Sequence, residues 1–101
     1  MITNSLVLVG EVLKAPKFST SPAGIEHCQF TIDHKSVQQE AGMSRQAFVR
    51  IQVVATSELS LLTRELMSGS NIKVTGFINR HESRNGNPLL VLHAQQIEMI
   101  N

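Results

Sequence analysis

Hydrophobic positions along this chain recur mostly with a two-residue period, the signature of half-buried strands. Leu6-Val7-Leu8-Val9-Gly10-Glu11-Val12-Leu13 is apolar and β-branched, and Pro16 with Lys17 follows it, which predicts a first strand. After the turn cluster Ser19-Thr20-Ser21-Pro22-Ala23-Gly24, Cys28, Phe30 and Ile32 alternate with Gln29, Thr31 and Asp33, predicting a second strand with one buried face. From Lys35 to Arg45 the chain is polar, Gly42 lies in the middle and no period survives, so this stretch reads as a loop. Alternation resumes with Ala47, Val49, Ile51 and Val53 on the inner face of a third strand. Thr56 and Ser57 then offer a cap for a helix of one to three turns, with Glu58 in its first turn, Leu59, Leu62 and Leu66 on its apolar stripe and Gly69 beyond its end. Ile72, Val74 and Ile78 form a fourth strand bent or bulged at Gly76. Arg80 to Pro88 contains the hairpin signal Asn85-Gly86, and Leu89 to Ile100 completes a long final strand.

Five strands with one short helix between the third and fourth is the order of an OB-fold, an all-β, five-stranded, partly open Greek-key barrel. A chain of 101 residues holds one such domain, spanning 1–101. The face of the second and third strands, with the loops joining strands one to two and four to five, commonly binds oligonucleotides in this fold.

Composition narrows the function further. With 42% hydrophobic and 17% charged residues the chain can build a core, which excludes disorder as its default. Its longest apolar runs, Leu6 to Val9 and Leu89 to Leu92, are far shorter than the roughly 20 residues of a membrane-spanning helix. The start of the chain lacks the basic residues of a signal peptide, so a cytoplasmic protein with no membrane partner is expected. The lone Cys28 cannot form an intramolecular disulfide, and the four histidines lack the companion spacing of a zinc site. No phosphate-cradling glycine loop, nucleophile elbow or carboxylate pair is present, so neither an enzyme nor a cofactor is expected. A net charge of +1 places any nucleic-acid function on local clustering rather than on the whole-molecule field.

The most informative position is Phe48. Alternation that turns Ala47, Val49, Ile51 and Val53 inward turns Phe48 outward with Arg50 and Gln52. An outward aromatic is a stacking platform for an unpaired base, or else a scattered surface ring covered by the neighbouring loop or by a partner subunit. Lys35, Arg45 and Arg50 surround it, while Lys14, Lys17, Arg80 and Arg84 extend the set of candidate phosphate contacts from the adjoining loops. Glu26 and Glu82 dilute that charge.

Ser21-Pro22-Ala23-Gly24-Ile25-Glu26-His27-Cys28-Gln29-Phe30, continued by His34-Lys35-Ser36-Val37-Gln38, Glu40-Ala41-Gly42 and Arg45-Gln46-Ala47, resembles the family of primosomal replication protein N, PriB. Val74-Thr75-Gly76-Phe77-Ile78, Asn85-Gly86 and Val91-Leu92-His93-Ala94 carry the likeness over nearly the whole chain. The resemblance implies a homodimer that binds single-stranded DNA and bridges the restart helicase PriA to DnaT, so that the replicative helicase is reloaded at stalled forks. It also implies that the aromatic at Phe48, usually a tryptophan in the family, stacks on bases, and that Lys35, Arg45 and the hairpin after Arg80 lie on the binding face. The chain departs from the family in carrying Phe48 and Glu82, and both changes are expected to weaken DNA binding. The competing reading is a protein-interaction OB module with little DNA affinity of its own.

Overall fold

The computed structural model describes residues 2–100. Its strands are β1 (Leu6–Val12), β2 (Lys17–Thr20), β3 (Glu26–Glu40), β4 (Met43–Thr56), β5 (Asn71–Glu82) and β6 (Pro88–Met99). A short helix α1 (Glu58–Leu62) runs into a 3-10 turn at Thr63–Glu65 between β4 and β5. The sheet order is β1-β5-β6-β4-β3-β2, and an additional β1–β3 pairing closes five of the strands into a ring. This is the expected OB architecture, with β2 added as a sixth strand at the rim.

The core follows the predicted alternation. Cys28, Phe30 and Ile32 from β3, Ile51, Val53 and Ala55 from β4, Ile72 and Val74 from β5 and Leu92 from β6 point inward and are buried. Burial holds the Cys28 thiol above its ordinary pKa, which suits a small core hydrophobe and not a nucleophile. Two glycines permit the ring to close tightly. A Cβ on Gly10 would stand 2.9 Å from the carbonyl oxygen of Asp33 where β1 crosses β3. A Cβ on Gly76 would overlap the carbonyl oxygen of His93, beside the expected bulge between Thr75 and Gly76.

Three expectations need correction. The predicted loop from Lys35 to Arg45 is instead the outer half of a two-stranded ribbon, paired from His27↔Thr56 out to Glu40↔Met43. Its strands join through the two residues Ala41 and Gly42, both at positive φ (51° and 77°), the geometry of a type I′ hairpin turn. Because only β3 and β4 pair there, neither face of the ribbon is covered. Val49 is therefore 36% exposed and Ala47 only half-buried, where both were expected inside. In α1, Ser57 occupies the cap position without a side-chain capping bond, and Leu62 is 60% exposed while Leu66 is buried. The helix is too short to keep all three leucines on one stripe, and the 3-10 turn re-aims the chain before Leu66.

Gly76→Ala is expected to destabilise the fold by about 3 kcal/mol or more, the upper end of overpacking costs, because the obstructing atom is backbone. A thermal melt checks this, with a Tm drop of more than about 10 °C expected for a domain of this size.

Candidate nucleic-acid interface

On the β3–β4 pair, side-chain alternation separates two faces. The inner face feeds the core. The outer face carries the register pairs Lys35↔Phe48, Asp33↔Arg50, Thr31↔Gln52 and Gln29↔Val54. Phe48 is 66% exposed on it, and the Lys35 ammonium lies 5.9 Å from the ring centroid. The expectation of an outward aromatic beside cations is met, although the ring stands on the projecting ribbon and not over the barrel.

Three shallow cavities run end to end along this face. The first, about 420 Å³, lies around Phe48, Lys35, Asp33 and Arg50. The second, also about 420 Å³, shares Arg50 and adds Lys14, Lys17, Thr31, Gln29 and Gln52. The third, about 490 Å³, shares Gln29 and Gln52 and continues to His27, Val54, His81, His93 and the hairpin tip with Arg84 and Glu82. Shared residues at each junction make them one groove. From Phe48 to Val54 its floor is about 20 Å long at the rise of a strand.

Lys17 joins the groove because β2 pairs with β3 at Lys17↔Gln29, so a strand that sequence patterning did not separate brings this lysine alongside the floor. Of the candidate residues, the groove thus gathers Phe48, Lys35, Arg50, Lys14, Lys17 and Arg84. It does not gather Arg45 or Arg80. Arg45 is an odd number of residues from Phe48 and so falls on the opposite face of the ribbon, where its Nε lies 3.5 Å from Glu40. Arg80 pairs with Leu90 and alternates with His81, which puts it on the far side of the β5–β6 hairpin. Glu26 is tied to Arg64 at 2.9 Å and does not line the groove.

Arg50 is held. Its Nε and Nη2 donate to the two carboxylate oxygens of Asp33 at 2.7 and 2.9 Å. This fork keeps the Asp33 carboxyl below its ordinary pKa, with the Arg50 hydrogen bonds the largest cause. Farther along, three ring side chains stack: Phe77 on His93 with centroids 5.0 Å apart, and His93 on His81 at 5.1 Å. The His81 and His93 Nε2 atoms are 2.9 Å apart, so one imidazole donates and the other accepts. Burial, then the nearby His81, lowers the His93 pKa. Histidine spacing in the sequence gave no sign of this cluster, because the hairpin register creates it. His34, by contrast, is structural: its Nδ1–H donates to the Val9 carbonyl at 2.6 Å and its Nε2 pairs with the Ser36 hydroxyl at 2.7 Å. Among the described residues no group of three or more His, Cys, Asp or Glu is arranged to hold a metal.

The model of a family described as "another single-strand binding protein family" matches residues 4–96. A replication restart protein PriB from Photorhabdus laumondii is 54% identical over 102 residues, covering 100% of this chain and 97% of that protein. The chain belongs to the PriB family. PriB from Escherichia coli is 48% identical over 101 residues, again covering 97% of its length. A solved PriB structure from Ralstonia solanacearum superposes with a TM-score of 0.84 over 99% of this chain at 19% identity, which confirms the fold. The groove described above therefore belongs to a PriB-family replication restart protein of the single-strand-binding class. No helix among its described residues is long and apolar enough to cross a membrane.

The Asp33–Arg50 pair has a pH signature. A depressed folded-state pKa contributes stability above the unfolded value near 3.9 that is lost as pH falls through the lower folded value. In an NMR titration the Asp33 carboxyl is expected to protonate below the ordinary range, and Arg50→Ala to raise it toward that range.

Proposed function

We propose that this chain binds single-stranded DNA along the outer face of β3 and β4 as an accessory protein of replication restart. In this reading it acts as a homodimer, steadies the helicase PriA on DNA and helps to recruit DnaT. The observation that carries the DNA role is the continuity of the groove, which links an exposed ring, Phe48, to Lys14, Lys17, Lys35 and Arg84. A strand lying in it would rest a base on Phe48 and pass its phosphates along the lysines, a sequence-tolerant mode of recognition. Asp33 and Glu82 lower the groove's positive charge, so binding per domain is modest.

The dimer is supported by the free side of β1. That strand meets β3 only at Glu11 and Val12, leaving Leu6 to Gly10 with one strand neighbour among the described residues, although the His34 side chain takes the Val9 carbonyl. Val7 and Val9 are 52% and 43% exposed beside this open edge, which a second copy would cover. A second reading, the protein-interaction module, is favoured by a different surface. Leu61 and Leu62 in α1 and Met67 just beyond the 3-10 turn are each more than half exposed and line none of the groove's cavities, apolar side chains of the kind a protein partner covers.

Fluorescence anisotropy with a labelled oligo-dT separates these readings, and a label is needed because the chain has no tryptophan or tyrosine. The wild type is expected to bind at low salt with a log–log salt slope no steeper than about −3, from some four cations at about 0.7 each. Phe48→Ala is expected to lose about 1 to 3 kcal/mol. Unchanged affinity in that variant would remove the stacking claim, and absence of wild-type binding would leave protein bridging alone. Sedimentation at micromolar concentration is expected to give the mass of two chains.

A further inference from the structure

Arg50 lies where the first two cavities of the groove meet, on the same face as Phe48 and two residues along, which at strand spacing places the two side chains about 7 Å apart. Its two best-placed donors are occupied by Asp33 at 2.7 and 2.9 Å. Asp33 faces Arg50 directly across the β3–β4 pair, and its backbone is fixed from the other side by β1, which pairs with it at Glu11 and approaches within contact distance at Gly10. The backbone that carries the carboxylate is therefore held on both sides.

Two consequences follow. The Nε/Nη2 edge of the guanidinium is taken, and the pair carries no net charge to draw a phosphate to the remaining Nη1 side. A phosphate replacing Asp33 would leave that carboxylate, its side chain 28% exposed, without its partner and next to a second anion. The plane of the guanidinium, meanwhile, is held at two points on a side chain that remains 69% exposed. Guanidinium planes, like aromatic rings, stack on unpaired bases.

We propose that Asp33 positions Arg50 as a second base-stacking platform beside Phe48, so that neighbouring unpaired bases rest on the ring and on the guanidinium plane. This rests on the single-stranded-DNA reading above. Arg50 then contributes contact area rather than counterion release, while Lys35, Lys14 and Lys17 on either side take the phosphates. Asp33 is a positioning residue that touches no DNA.

The decisive variant is Arg50→Lys, which keeps the charge and removes the plane. With labelled oligo-dT across a salt series, it is expected to bind at least about fivefold more weakly than wild type, the lower end of one base's stacking, with an unchanged salt slope. Asp33→Ala frees the fork for phosphate and is expected to steepen the slope by about 0.7. In an NMR titration of the wild type, the Arg50 Nε–H resonance is expected to shift upfield under a base's ring current on addition of oligo-dT. Wild-type affinity in Arg50→Lys, or an unchanged slope in Asp33→Ala, would overturn the platform while leaving the DNA reading in place. Failure of the wild type to bind oligo-dT at low salt would overturn both.

Discussion

The structure depends on β1 pairing on both of its sides. Along Leu6–Glu11 it is zipped to β5, and at Glu11 and Val12 it crosses to β3, which turns an open sheet into a ring. A chain this short has little core to offer, and ring closure is how its buried side chains come to face one another across a single interior. Closure demands close backbone approach, which Gly10 and Gly76 allow because neither site has room for a Cβ. It also decides where the barrel ends. Beyond Asp33, β3 has no neighbour other than β4, so the pair leaves the barrel as a ribbon and its side chains lie open on both faces.

That boundary explains what could be read from the sequence and what could not. Alternation at Cys28, Phe30 and Ile32 and at Ile51 and Val53 was legible because those residues line the closed part of the ring, where one face is dry. From Lys35 to Arg45 both faces are wet, nothing selects apolar residues at every second position, and a regular strand looks like a loop. The turn was concealed as well, since Ala41 adopts a positive φ that is usually left to Asn, Asp or Gly. Phe48 was legible because strand parity turned it outward whether or not its neighbours were buried. Parity could equally have shown that Arg45 lies across the ribbon from Phe48, had the strand been extended that far. The gathering of His27, His81 and His93 was beyond reach, because it depends on how the β5–β6 hairpin folds over the β3–β4 floor.

Closure also shapes the electrostatics of the groove. By fixing Asp33 against β1, it places a carboxylate in the middle of a face that otherwise collects cations. The response within the chain is consistent: the ion pairs among the described residues all use arginine, Arg45 with Glu40, Arg50 with Asp33 and Arg64 with Glu26. Arginine suits that role, since its planar fork matches a carboxylate and stays protonated. The lysines along the groove, Lys14, Lys17 and Lys35, take no part in those pairs, and the Lys35 ammonium lies instead over the Phe48 ring.

This division separates two tasks that a single-strand groove must perform. Phosphates repeat along every strand whatever its sequence, so flexible ammonium groups at the rim can follow them without fixed geometry. Bases need flat, apolar or delocalised surfaces held still, and in the proposed reading those surfaces are Phe48, carried on the strand ladder, and the Arg50 plane, held by Asp33. A tryptophan in place of Phe48 would supply more stacking area on its own. In the proposed reading, a neighbouring guanidinium anchored by a carboxylate on the opposite strand adds stacking area beside the smaller ring without adding net charge, which suits a nearly neutral chain.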